Sequence, residues 1–175
     1  MENVNPVSTN NIRATIFIVG QIVDKLPDLV TRMDRIGWEI GNHTYSHVWS
    51  TDTLNIDLEK EIKKTENSIR RVLSKDPVKY FRPPFGDSNQ RVLETISLSD
   101  YKIIFWSNNL QDTTKSSKIE DQVKFVLDHL QNGNIILCHF GGYNTYEVLK
   151  IVIPKILAQN YEFVTISEMI QHLSF

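Results

Sequence analysis

Short apolar runs alternate along this chain with longer segments whose apolar residues recur at helical spacing, the rhythm of strands and crossover helices in a parallel sheet. The runs at 15–19, 38–40, 80–82, 102–106, 135–139 and 163–165 are rich in β-branched and aromatic residues and show little alternation, as strands covered on both faces do. Helices are expected between them. Pro27 suits the first turn of a helix over 27–36, and Gly37 stops it. Over 56–73, Leu58, Ile62, Ile69, Val72 and Leu73 mark one apolar face, and Glu59 and Lys63 form a solvated charge pair. Further helical patterns cover 88–96, 119–130, 146–157 and 167–173. No internal repeat, linker or low-complexity tract interrupts the series, so residues 1–175 are read as a single α/β domain. No glycine-rich phosphate loop follows any run, which favours a barrel-like arrangement over an open doubly wound sheet.

Composition narrows this picture. A chain of 175 residues with 41% hydrophobic and 23% charged residues has enough apolar surface for a real core and is not globally disordered. Its formal net charge of −2 gives no electrostatic footprint for nucleic acid. No apolar run has the length of a membrane span, and Met1 to Pro6 has neither the basic start nor the apolar stretch of a secretion signal. The single cysteine, Cys138, excludes an internal disulfide and is expected to be buried and unreactive within its strand.

The most informative chemistry lies in Gly41-Asn42-His43-Thr44-Tyr45-Ser46-His47. Two imidazoles four residues apart project from one side of a helical turn or tight loop. Neutral imidazole is a preferred zinc donor, and two of them leave positions for a carboxylate and a water. A surface or capping role suits the same pair. No glutamate follows the first histidine, so a catalytic base has to come from elsewhere. Trp49, just past this segment, has two readings, a ring facing a sugar or a packed aromatic, of which packing is the expectation. His129 and His172 fall in helical patterns and are read as surface or core-edge residues.

Further strings follow in fixed order: Phe81-Arg82-Pro83-Pro84-Phe85-Gly86, the stretch from Trp106 to Asp112, and Leu137-Cys138-His139, with Ala14-Thr15-Ile16-Phe17 ahead of them. Together with the His-x-x-x-His string, this series resembles the polysaccharide deacetylases of carbohydrate esterase family four, from about residue 11 onward. The resemblance implies a distorted (β/α) barrel whose strand ends carry the site. It implies His43 and His47 as ligands of a divalent metal, zinc above all, and the backbone N–H of Phe85 as an oxyanion donor. Arg82 would orient a catalytic carboxylate, with an ordinary strand-end ion pair as the other reading; His139 would be the general acid; and Asp112 would orient and tune the catalytic histidine, where a plain turn residue suits it equally. Leu137 would contact the acetyl methyl, where a plain core leucine is an equal reading. The substrate class implied is an N-acetylated oligo- or polysaccharide such as chitin oligomers or peptidoglycan.

Two departures qualify this. Family members commonly read Asp-x-x-Asp-Trp where this chain reads Asn109-Leu110-Gln111-Asp112-Thr113, and a neutral Asn cannot stabilise a cation by charge. The family's Thr-Phe-Asp-Asp-Gly motif, with the general base and the third metal ligand on the first strand, has no counterpart here. The expectation is therefore a barrel short of its first strand, metal held weakly, and doubtful activity. A non-catalytic carbohydrate-binding or interaction protein derived from a deacetylase is the alternative.

Overall fold

The computed structural model describes residues 12–173. The chain is α/β, and its described residues run in the order β1 (Thr15–Ile18), α1 (Gly20–Lys25), α2 (Pro27–Arg35), β2 (Glu39–Asn42), α3 (Asn55–Leu73), β3 (Tyr80–Phe81), α4 (Gln90–Leu98), β4 (Lys102–Ile103), β5 (Asn108–Asn109), α5 (Ile119–Asp128), β6 (Ile136–Leu137), α6 (Thr145–Leu157) and α7 (Ile166–Leu173). They fall into two compact units. One comprises Arg13–Phe105 and the segment from Thr165; the other contains Trp106–Val164.

In the first unit, four parallel strands stand in the order β1-β2-β3-β4. Thr15 pairs with Glu39, Asn42 with Phe81, and Tyr80 with Lys102. Two apolar clusters join this sheet to its helices. Ile18, Val23, Val30, Met33, Ile40 and Ile69 lie under α1, α2 and α3; Leu58, Ile62, Phe81, Val92, Ile96 and Tyr101 lie under α3 and α4. Each such side chain contributes about 1.5–3 kcal/mol when fully buried. Glu66 of α3 is buried among them, and its carboxylate takes Lys63 and Lys79 at 2.8 and 2.7 Å. Burial alone would raise its pKa; the hydrogen bonds and charges of the two lysines outweigh that and hold it below the ordinary value.

The 163–165 run is not a strand. Thr165 instead starts α7 through a reciprocal cap, its N–H donating to Glu168 Oε2 at 2.8 Å and its hydroxyl accepting the Glu168 N–H at 3.2 Å. The helix start then ties to the sheet, with the Ile166 N–H donating to Thr15 Oγ1 at 2.9 Å and the Ser167 hydroxyl bonded to Tyr80 at 3.1 Å. The 102–106 run also differs from expectation, because its strand ends at Ile103. Arg82 donates to the carbonyls of Ile104 and Phe105 and so occupies acceptors that a longer ladder would need.

In the second unit β5 and β6 pair in parallel, Asn108 with Ile136 and Asn109 with Leu137. Leu110, Val123, Val126, Val148, Val152 and Ile156 form its core beneath α5 and α6. Strand β6 is shorter than the expected 135–139 run, and Cys138, beyond its end, is exposed rather than buried.

Gly20 at the start of α1 is the tightest approach in the first unit. A Cβ there would stand 2.5 Å from the Tyr45 ring and 2.7 Å from Thr65 Oγ1. Gly20→Ala is therefore expected to destabilise the protein by about 1–3 kcal/mol in urea unfolding, as overpacking does. A parent-like midpoint would mean that Tyr45 and Thr65 yield without cost.

Candidate active site

Strand β2 ends at Asn42, and residues 43–47 fold back as a loop with Thr44 and His47 at φ of 61° and 59° rather than as a helical turn. Non-glycine residues enter this left-handed region at a cost of about 1–2 kcal/mol each, so the surroundings must fix them. Three sets of bonds do so. The buried Asn42 side chain donates to the Ile62 carbonyl of α3 at 2.9 Å and accepts the Thr44 N–H at 3.1 Å. Glu61 of α3 gathers the N–H groups of Tyr45 and Ser46 and the Ser46 hydroxyl on one carboxylate oxygen, at 2.9, 2.7 and 3.0 Å. The first N–H groups of α1, on Gly20 and Gln21, donate to the carbonyls of Thr44 and Tyr45 at 3.0 Å.

Held this way, the His43 and His47 rings stand with centroids 5.0 Å apart at an interplanar angle of 67°. His43 Nδ1 lies 2.6 Å from the Arg82 carbonyl. A carbonyl only accepts, so Nδ1 carries the proton, and in the neutral ring the lone pair falls on Nε2, the tautomer that ligates metals. The pair suits two positions around a divalent cation. Among the described residues no group of three His, Cys, Asp or Glu comes together, so the pair alone is an incomplete shell.

Arg82 is buried after β3. Its fork donates to the carbonyls of Ile104 at 3.1 Å and Phe105 at 3.0 Å, and its plane lies 4.2 Å from the Phe17 ring centroid. The Phe85 backbone is left-handed, at φ 61°. Its turn is closed by the N–H groups of Gly86 and Asp87, which donate to Pro83 and Pro84, so the Phe85 N–H is not used in closing it. The Phe85 ring meets His47 edge to face at 4.6 Å and stacks on Trp49 at 4.0 Å. Trp49 is half exposed, not packed into the core.

In the second unit Asp112, 2% exposed, stands beside His139. Its Oδ1 lies 2.8 Å from His139 Nδ1, and its Oδ2 accepts the His139 N–H and the Thr145 hydroxyl, each at 2.7 Å. Burial pushes the carboxyl pKa up, but the bonds from the His139 ring, the His139 N–H and Thr145 outweigh it and leave the carboxyl below its ordinary value. A Cβ on Gly142 would come within 2.6 Å of Asp112 Oδ2, so only glycine lets the chain pass this carboxylate. Asn109 is spent locally, accepting the Gln111 N–H at 2.9 Å. Leu137 is half-buried, and Ile136 rather than Leu137 packs on the α5–α6 cluster, as strand alternation requires.

Sequence reasoning did not single out Glu61, Asp87, Gly142 or Thr145. Glu61 and Asp87 clamp loop N–H groups, Thr145 donates its hydroxyl to Asp112, and Gly142 leaves room for that carboxylate; no spacing rule flags such contacts.

Asp112 is expected to link stability to pH. A carboxyl with a lowered folded pKa contributes stability above its unfolded value, near 3.9, and that stability is lost as pH falls through the folded value. Asp112→Asn should cost about 1–3 kcal/mol at neutral pH. The gap between parent and variant in urea titrations should narrow below about pH 4. A gap that stays constant down to pH 2 would show that the carboxylate charge contributes nothing.

The family profile for polysaccharide deacetylase matches residues 4–104. A peptidoglycan-N-acetylglucosamine deacetylase of Bacillus cereus is 31% identical over 163 residues, covering 91% of this chain and 76% of that protein. The peptidoglycan-N-acetylglucosamine deacetylase of Listeria monocytogenes is 33% identical over 91% of this chain, which spans only 33% of that longer protein. Among solved structures, a family 4 acetyl xylan esterase from Clostridium thermocellum, in complex with a cobalt ion, superposes with a TM-score of 0.85 at 29% identity, covering 94% of this chain and 80% of that one. With more than half its length matched by the profile and a relative of this identity largely covered, the chain belongs to the polysaccharide deacetylase family.

Proposed function

We propose that this chain carries the imidazole pair and the acid–orienter pair of a divalent-metal-dependent deacetylase acting on N-acetyl groups of amino-sugar polymers, with peptidoglycan or chitin oligomers as the substrate class. The observation that carries the reading is the paired geometry: a histidine couple with one tautomer fixed, and a second histidine held at Nδ1 by a buried carboxylate.

Amide hydrolysis needs an activated water, stabilisation of charge on the carbonyl oxygen, and a proton for the departing amine. A divalent ion held by His43 and His47 would supply Lewis acidity and lower the pKa of a water at the site. The remaining work falls to the chain's own groups. Asp112 engages His139 Nδ1, so His139 Nε2 is the atom that would carry a proton to the leaving amine, and the buried carboxylate stabilises the imidazolium when it does. The Phe85 N–H, which the turn does not use in closing, would donate to the developing oxyanion. Leu137 would offer an apolar surface to the acetyl methyl. Arg82 fixes the end of β4 and, through its own carbonyl, the tautomer of His43.

A second reading, a carbohydrate-binding protein without catalysis, is favoured by one observation. Asn109 stands where the family commonly has an acid, and its side chain is occupied by a turn.

Zinc is expected to be held loosely, because two imidazoles bring no anionic charge to offset the ion. After dialysis the parent should retain a sub-stoichiometric amount of zinc and His43→Ala none. Equal zinc in both proteins would remove His43 from the ligand set. Acetate release from N-acetylglucosamine oligomers should be negligible even with zinc or cobalt in excess, since a missing general base alone costs about a hundred- to ten-thousandfold. Robust release that depends on His139 would show that the base is present. Oligomer binding with no release even when a strand carrying the family's Asp pair is added ahead of the chain would favour the second reading.

A further inference from the structure

We infer that the outer face of the Trp49 indole is a stacking platform for a pyranose ring of the N-acetylated polymer, next to the sugar whose amide is cleaved. This inference rests on the deacetylase reading and names how that site grips its chain.

Trp49 and Phe85 lie nearly parallel, with centroids 4.0 Å apart and planes 13° from each other, and the far edge of the pair continues to His47. Both rings are about half exposed, at 52% and 53%. What distinguishes them from singly exposed side chains is that they adjoin, and contiguous exposed apolar patches mark binding surfaces. Phe85 covers one indole face, so the other is the broad flat surface presented outward. β-linked pyranoses with equatorial substituents carry axial C–H groups on both ring faces. Such a face suits a flat indole, whose electron-rich surface attracts C–H edges.

The platform is held before any ligand arrives. Asp87, two residues beyond Phe85, accepts the Thr51 N–H at 2.7 Å and the Thr51 hydroxyl at 2.9 Å, which laces the Trp49 loop to the Phe85 turn. Arg91 of α4 donates to the carbonyls of Ser50 and Thr51 at 3.1 and 2.8 Å. The Thr53 hydroxyl closes on the Trp49 carbonyl at 2.7 Å. The backbone beneath the indole is therefore fixed on both sides, and binding need not order a loop. A ring that only filled space would not need a second element clamped to its loop by a carboxylate and a guanidinium. Continuity with His47 also places the platform along the path of any polymer whose acetamido group reaches the imidazole pair.

The test is calorimetric titration of the 175-residue chain with the N-acetylglucosamine tetramer, comparing the parent with Trp49→Tyr and Trp49→Leu. Thermal unfolding of all three checks that they fold alike. Tyr keeps a stacking face and should bind within about threefold of the parent, whereas Leu keeps bulk without a ring and should bind roughly tenfold more weakly. The tetramer should quench tryptophan emission in the parent and leave the emission of the Leu variant unchanged. Equal affinity of the Leu variant and the parent, or no binding by the parent, overturns the platform. His43→Ala tests the metal assignment separately, by zinc content alone: it should lose zinc. Zinc retained by His43→Ala would defeat the metal assignment while the Tyr–Leu contrast still decides the platform.

Discussion

A buried asparagine at a strand–helix junction sets the geometry of each unit. Asn42, at the end of β2, spends its amide on the Ile62 carbonyl of α3 and its oxygen on the Thr44 N–H. It thereby locks strand, helix and ligand loop to a common point while its own carbonyl accepts the Arg82 N–H of the next strand. Asn108 does the same in the other unit, donating to the Val126 carbonyl of α5 at 3.0 Å and accepting the Asn109 N–H at 2.8 Å. A buried amide left without partners costs about 1–3 kcal/mol. A misdocked helix would therefore leave an amide N–H of its asparagine unpaired, and the strand ends that carry the candidate chemistry are positioned to within hydrogen-bond tolerance.

This precision is used to hold strained backbone. Thr44, His47 and Phe85 all sit at positive φ without being glycine. The surrounding carboxylates are what over-determine them. Glu61 collects three donors from the imidazole loop, and Asp87 binds Thr51 across from the Phe85 turn. Fixed side-chain placement obtained in this way lowers the reorganisation required when a substrate arrives.

Much of this was legible in the sequence, and what was not has identifiable causes. His43 and His47 stand out by their spacing, Asp112 and His139 only through the family resemblance, and the structure pairs them two by two. The parallel arrangement of β1, β2 and β3 follows from apolar runs separated by helical segments, whereas their register is not written in those runs. The 102–106 run reads as one strand because hydrophobicity cannot reveal that a distant Arg82 takes two of its carbonyls. The end of the 163–165 run could have been recognised, since Thr165-x-x-Glu168 is a capping-box spacing. The exposure of Trp49 was not readable, because its loop is held by Asp87 and Arg91 from a separate segment.

The same accounting limits where an anionic metal ligand can come from. Asp112 already satisfies three donors and Glu61 three more on a single oxygen, while Asp87 holds the N–H and hydroxyl of Thr51. Turning any of them toward a cation would orphan buried or partly buried donors at about 1–3 kcal/mol each. It would also release the loop that the carboxylate currently fixes. The neutral Asn109 brings no charge and is held by its own turn. On the proposed metal reading, none of these four residues is spare for a third ligand position. The imidazole loop keeps its backbone and the orientation of His43 through Asn42, Glu61 and the Arg82 carbonyl, so its geometry does not depend on a bound ion.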